Sequence, residues 1–195
     1  LGSGDVVLTV ETGGMVVGSS MWEYRAQGFV SLVQPDHGNK GTEVSIVGQN
    51  LVAHGSVIVS VYLGSVRARI LSQTNLFVTV MANEGNGLLS GRDIVLTSDT
   101  GSTVTLVNGW TYTDPTMVTS VTPSSGQQGT RVVIEGTNLL QGGAALISVE
   151  LVDVPAHIVF ANDSLVIVDA GSGYDVYTTG NVTLMNNVGA EYTVI

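Results

Sequence analysis

Cysteine is absent from this 195-residue chain, so neither a disulfide framework nor a thiolate metal site can form. That absence neither requires nor excludes secretion, because domains of this size can fold on their core alone. Positive charge is scarce. Lys and Arg number 6 against 16 Asp plus Glu, the net charge is −10, and Lys40 is the one lysine. So acidic a surface repels phosphate backbones and anionic lipid, whose binding starts from a positive patch, and nucleic acid is excluded as a partner. No apolar run approaches the ~18 residues that span a bilayer, and no stretch has a signal-peptide pattern, so membrane insertion of this segment is not expected. Aromatics are few as well: two Trp, six Tyr and three Phe.

What the chain has is a match to itself at an offset of 88 residues, the distance from Trp22 to Trp110. Val30, Val33 and Pro35 recur as Val118, Val121 and Pro123, and Gly48-Gln-Asn-Leu51 recurs as Gly136-Thr-Asn-Leu139. Gly38, Gly41 and Thr42 return as Gly126, Gly129 and Thr130. Upstream, Asp5, Leu8, Thr9, Gly13, Trp22 and Tyr24 return as Asp93, Leu96, Thr97, Gly101, Trp110 and Tyr112. A period of this length means serial domains, each a complete small core. The expected division is a closing remnant over 1–26, a whole repeat over 27–114, and a repeat over 115–195 without its closing strand. The chain is thus expected to begin and end in mid-domain, as a window on a longer array.

Val, Ile and Leu dominate the apolar positions, and many alternate with Thr, Ser or Gly. Short β-branched runs bounded by Gly, Asn, Asp and Pro read as strands joined by turns. In the middle repeat these are Phe29–Val33, Thr42–Gly48, Val57–Leu63, Val66–Leu71, Leu76–Met81, Asp93–Ser98 and Thr103–Tyr112. In the last they are Val118–Thr122, Thr130–Glu135, Leu146–Leu151, Val154–Phe160, Leu165–Asp169, Asn181–Met185 and Glu191–Ile195. No helical period persists. Seven short strands per repeat indicate an all-β fold of tandem immunoglobulin-like β-sandwiches, end to end. Glu11-Thr-Gly13 and Asp99-Thr-Gly101 read as hairpin turns in which Gly supplies the positive φ. Pro35 and Pro123 end the first strand of each repeat, having no ladder donor. Trp110 and Tyr112, two apart on a strand, face one side and are expected in the core.

Val118-Thr-Ser-Val-Thr-Pro-Ser-Ser-Gly126 followed by Gly129-Thr-Arg-Val-Val-Ile-Glu-Gly-Thr-Asn-Leu139 resembles the opening of an IPT/TIG domain. Val152-Asp-Val-Pro-Ala-His-Ile158 and Gly64-Ser-Val-Arg-Ala-Arg-Ile70 resemble that family's V-x-V-x-G-x-x-A strand pair, although the glycine is missing. Asn108-Gly-Trp-Thr-Tyr112 resembles its closing N-G-F-x-Y. The resemblance implies an immunoglobulin-like sandwich, and uses ranging from plexin-like receptors and surface arrays to accessory domains of starch-active enzymes and dimerising domains of transcription factors. Fold alone does not choose among these. Tandem copies with an acidic surface point to an extracellular or cell-surface protein.

Chemistry-bearing residues are sparse. Sequons occur at Asn162-Asp-Ser164 and Asn181-Val-Thr183, so Asn162 and Asn181 are candidate glycan acceptors if the protein is secreted. Asp93, Asp99, Asp114, Asp153, Asp163, Asp169 and Asp175 form no dense cluster and no calcium loop, and read as turn residues. His37, His54 and His157 have no metal-ligand spacing. Ser124-Ser125 lacks a nucleophile elbow. Arg67 and Arg69 alternate on one strand, either as a small ligand patch or as solvent-facing charges. Gly85-Asn-Gly87 and Gly171-Ser-Gly173 lack the strand–helix setting of a phosphate loop. No catalytic constellation, metal site or cofactor site is expected.

The junctions Arg25-Ala-Gln-Gly28 and Asp114-Pro-Thr-Met117 are too short to act as flexible coils. The expected role is a non-catalytic structural segment of an extracellular stalk, filament or adhesion protein. Its partners would be neighbouring repeats, other copies of the chain, or a protein or glycan ligand. The alternatives are the ligand-binding ectodomain of a plexin-like receptor and an accessory domain of a carbohydrate-active enzyme. The hairpin in 1–26 is marginal alone. It is expected to complete a sandwich, either of preceding residues or of another molecule's last domain by strand addition.

Overall fold

The computed structural model describes residues 2–85, 89–173 and 179–194, with only the backbone of Leu89 and Ser90. Every element among them is a strand. The first two, β1 (Ser3–Thr9) and β2 (Met15–Glu23), pair only with each other.

The first sandwich comprises β3 (Phe29–Gln34), β4 (His37–Gly38), β5 (Glu43–Gln49), β6 (Ile58–Leu63), β7 (Val66–Gln73), β8 (Phe77–Met81), β9 (Leu89–Ser98) and β10 (Thr103–Tyr112). They run in the order β3-β5-β8-β7-β6-β9-β10-β4. The order is continuous because β7 serves both sheets. Val66, Arg67 and Ala68 pair with β6, whereas Arg69, Ile70, Ser72 and Gln73 pair with β8 across a bulge after Ile70. The change of layer falls between Ala68 and Arg69, and the bulge just beyond it bends the strand further.

The second sandwich comprises β11 (Met117–Thr122), β12 (Arg131–Thr137), β13 (Leu146–Leu151), β14 (Val154–Pro155), β15 (His157–Ala161), β16 (Leu165–Asp169), β17 (Val182–Asn186) and β18 (Glu191–Val194). Two four-stranded sheets form, β11-β12-β16-β15 and β14-β13-β17-β18. The run expected as one strand over 154–160 is therefore two. Pro155 stands where Arg67 stands in β7, and without an N–H it cannot extend the ladder. The Ala156 N–H still reaches the Val149 carbonyl at 2.8 Å before the chain changes sheets.

Two further differences concern β4 and β9. β4 pairs parallel with β10 and is only two residues long, too short to show any period. β9 starts at Leu89, ahead of the Asp93 expected, with Gly91 at φ +64 within it. Both early prolines follow strand ends, β3 closing at Gln34 and β11 at Thr122.

The two cores are the same core built twice. Val132, Ile134, Leu139, Leu146, Val149, Val166, Val168 and Leu184 are the buried apolar residues of the second. Each stands 88 positions after its counterpart in the first: Val44, Ile46, Leu51, Ile58, Val61, Val78, Val80 and Leu96. Along each strand they occupy alternate positions, as a two-faced sheet requires. Burying such a side chain contributes roughly 1.5–3 kcal/mol, so a shared core of this size fixes the fold in both copies. Trp110 and Tyr112 lie in the first core, their rings edge to face with centroids 5.6 Å apart.

Candidate functional site

Polar residues at the two junctions do what a flexible linker would not. Asn50 follows the glycine of Gly48-Gln-Asn-Leu51 and has φ +53; its counterpart Asn138 has φ +51. Asparagine tolerates this left-handed backbone better than most residues. In both copies the conformation turns the side-chain amide back to the linker. Asn50 Nδ2 donates to the Ala26 carbonyl at 3.0 Å, and Asn138 Nδ2 donates to the Asp114 carbonyl. Ala26 and Asp114 stand 88 residues apart, so the tie is repeated with the domains. His54 Nε2 adds a contact to the Ala26 carbonyl at 2.8 Å.

Buried Asn39 secures the other side of the second junction. Its Nδ2 donates to the Thr113 carbonyl at 2.7 Å, and its Oδ1 accepts from the N–H groups of Lys40 and Gly85 at 2.8 and 3.1 Å. The sandwiches then touch directly. The Glu43 N–H donates to the Val188 carbonyl at 3.1 Å. A Cβ placed on Gly142 would lie 3.4 Å from His37 Cδ2, and one on Gly41 would lie 3.4 Å from the Glu191 nitrogen. The β17–β18 turn making this contact is held from beneath by Asn186, which is fully buried. Asn186 Oδ1 accepts from Val188 and Ala190 N–H at 3.0 and 2.8 Å, and its Nδ2 donates to the Leu140 carbonyl at 2.9 Å. Sequence reading missed these contacts. Only Asn50 and Asn138 carried a signal, their recurrence at one position of the repeat.

The other candidates are dispersed. Asn162 is exposed in the turn before β16, and its Oδ1 accepts from the Ser164 N–H and hydroxyl and from the Leu165 N–H at 2.9, 3.1 and 2.7 Å. Asn181 is half-buried, its carbonyl accepts from Val152 N–H, and its sequon hydroxyl on Thr183 lies 3.2 Å from that of Thr193. Four carboxylates brace nearby chain. Asp93 accepts from Asn108 N–H, Asp99 from Ser56 N–H and Asp163 from Leu140 N–H, while Asp169 pairs with Arg131 at 2.9 Å. The Arg131 hydrogen bond holds the Asp169 carboxyl below the usual carboxylate range. Asp153 has φ +58 in the β13–β14 turn, and Asp114 contributes the linker carbonyl. Asp175, Asn86 and Gly87 lie outside the described residues.

His37 Nδ1 pairs with Asp36 at 2.8 Å, whose carboxyl this hydrogen bond lowers, and His157 opens β15. Ser124 and Ser125 are exposed, and Gly171 packs where a Cβ would meet the Pro155 carbonyl. Arg67, Arg69 and Asn83 line an open depression of about 350 Å³. Within it Asn83 donates to the Arg67 carbonyl and Arg67 to the Val59 carbonyl, so their donors are partly spent on the fold. Among the described residues, no group of three or more His, Asp or Glu could hold a metal ion, and no helix is long and apolar enough to cross a membrane. Burial pushes the Tyr112 hydroxyl up to about 12, which keeps it protonated within the core.

This arrangement defines an all-β protein of immunoglobulin-like type. Residues 115–193 match the model of the IPT/TIG domain. Two structures of the plexin A4 extracellular region are similar at 18% identity, each over 85% of this chain, with TM-scores of 0.52 and 0.57. This chain spans only 17% and 15% of those two, and a likeness at this identity shows the fold alone. A surface glycan-binding protein of Prevotella bryantii aligns over 87% of this chain and 41% of its own at 13% identity, with a TM-score of 0.36. Among curated proteins, none matches the sequence.

Proposed function

We propose that this chain is a non-catalytic structural segment of an extracellular or cell-surface protein, in which IPT/TIG-type sandwiches follow one another end to end. Residues 1–26 would then be the closing hairpin of a preceding repeat, 27–114 a whole repeat, and 115–195 most of the next. The observation that carries the reading is the second junction. Backbone and side-chain bonds from Asn39, Glu43 and Asn138 cross or pin a linker too short to bend freely. Rigid serial domains suit a stalk, spacer or filament.

Small-angle X-ray scattering tests it. The native chain is expected to fit one arrangement of the two sandwiches. An insertion of about eight Gly and Ser residues after Pro115, spanning roughly 15 Å as a flexible coil, should raise the radius of gyration and require an ensemble. A native chain that itself requires a broad ensemble overturns the stalk reading.

Asn162 is the proposed glycan acceptor of the two sequons, because it is exposed in a turn whereas Asn181 is half-buried beside β18. Protein secreted from a eukaryotic host should exceed its sequence mass and lose the excess with glycosidase or with Asn162→Gln. An intact mass equal to the sequence mass sinks the assignment.

A further inference from the structure

The β1–β2 hairpin has the internal structure of β9–β10 and none of its surroundings. Its register repeats pair for pair: Thr9 with Met15, Leu8 with Val16 and Val7 with Val17 correspond to Thr97 with Thr103, Leu96 with Val104 and Val95 with Thr105. Both ladders slip at the same place, resuming at Gly4–Trp22 and at Arg92–Trp110. Asp5 accepts from Ser20 N–H at 2.8 Å as Asp93 accepts from Asn108 N–H at 3.0 Å, and Ser20 and Asn108 have φ +55 and +54. Trp22 and Tyr24 meet edge to face at 5.9 Å, like Trp110 and Tyr112.

In the first sandwich the face formed by Ile94, Leu96, Val104, Trp110 and Tyr112 is buried. The same face of the hairpin, Val6, Leu8, Val16, Trp22 and Tyr24, is exposed; Leu8 is 64% exposed against 1% for Leu96. A flank is open too. β9 pairs through Ile94–Ser98 with β6, whereas the matching edge of the hairpin, Val6–Thr9 of β1 and Val10 after it, has no strand beside it among the described residues. Two strands alone are marginal in water, and an open apolar edge invites pairing.

We propose that this face and edge are the docking surface for the remaining strands of a sandwich of this same type, supplied by a preceding stretch of the same polypeptide. The proposal rests on the serial-array reading and adds its unseen contact. In the second sandwich β17 and β18 already stand where β1 and the first half of β2 would fall, so a second copy could seat at most the Trp22–Tyr24 end of the hairpin.

The same stretch has a second seat. At the junction already described, His37, Gly41 and Glu43 meet Gly142, Val188, Gly189 and Glu191. Eighty-eight positions earlier these become His54, Thr100, Gly101 and Thr103, at the end of the first sandwich facing the hairpin linker. Thr100, Gly101 and Thr103 are exposed, and the Thr100 carbonyl is the counterpart of the Val188 carbonyl that accepts from Glu43.

Because the chain has no cysteine, one introduced thiol is a unique target for maleimide. Val16→Cys probes the face in question. Val17→Cys, on the opposite face, matches exposed Thr105 and serves as control. Both are made in the 195-residue chain and in the native polypeptide with the residues ahead of position 1. Val16→Cys should react on the order of 100-fold more slowly in the native polypeptide, by local-opening protection, while Val17→Cys reacts alike in both. Amides of residues 6–9 should exchange more slowly there as well.

Equal reactivity of Val16→Cys in the two contexts overturns the proposal, as does a native polypeptide that starts at position 1. Concentration-dependent protection in the 195-residue chain assigns the face to a second copy and overturns the stated occupant. A bending junction in the scattering experiment would leave the Val16 comparison intact, so the two readings fail separately.

Discussion

Trp110→Ala is expected to cost the first sandwich about 3–5 kcal/mol, the range for removing a fully buried tryptophan and leaving a cavity. The indole is 0% exposed, lies edge to face on Tyr112 and belongs to a cluster that includes Val44, Ile46 and Val80. Single domains hold only about 5–15 kcal/mol in all, so the first sandwich should melt well ahead of the second and split the transition. Trp22→Ala is the informative partner. It removes the same residue type from the same place in the repeat, yet Trp22 is 56% exposed. In the 195-residue chain it should leave denaturant unfolding nearly unchanged, within about 0.5 kcal/mol as for surface sites. Equal shifts for the two variants would mean that the hairpin face is covered within this chain.

Asn186→Ala is expected to damage the second sandwich out of proportion to the few atoms removed. The side chain is itself fully buried and serves two backbone donors, Val188 and Ala190, and the Leu140 carbonyl, of which Val188 and Leu140 are partly exposed. Each buried group left without a partner costs about 1–3 kcal/mol, and packing alone gives no hydrogen bond in exchange. The β17–β18 turn also presents the Val188 carbonyl to Glu43, so its loss should loosen the junction. Calorimetry should show a lowered second transition, and scattering a broadened distance distribution. A variant that melts like the parent would show that water replaces the amide. The corresponding residue of the first sandwich is Ser98, so the effect has no twin there.

The architecture was open to reading because the repeat supplied its own alignment. A turn such as Glu11-Thr-Gly13, repeated as Asp99-Thr-Gly101, fixes a hairpin twice, and Gly13 and Gly101 indeed have φ +84 and +83. Trp110 and Tyr112 were placed in the core by alternation, and they lie there. The split of β14 from β15 was hidden because Val154–Phe160 keeps a strand's composition, and only Pro155 marks the break. β4 was hidden by its length. The junction was the least visible part. Asn39 and Asn186 look like ordinary turn residues in sequence, and what distinguishes them is burial among backbone groups brought together from distant segments. Asn162 and Asn181 carry the same sequon logic, and burial alone separates them.

The parallel pairing of β4 with β10 has a mechanical meaning. A pull along the chain enters the first sandwich ahead of β4 and leaves it after β10. Since the two strands run the same way, tension draws them in opposite directions along their length. Thr111 N–H to the Asp36 carbonyl and Thr113 N–H to the Gly38 carbonyl, both 2.9 Å, are then loaded together, and Asn39 shares the force at Thr113. Bonds sheared in parallel rupture as a set, whereas a hairpin peeled from its end opens one bond at a time. Once β3 has been drawn off β5, with which it pairs antiparallel, the shortest strand in this sandwich is the next to bear its load.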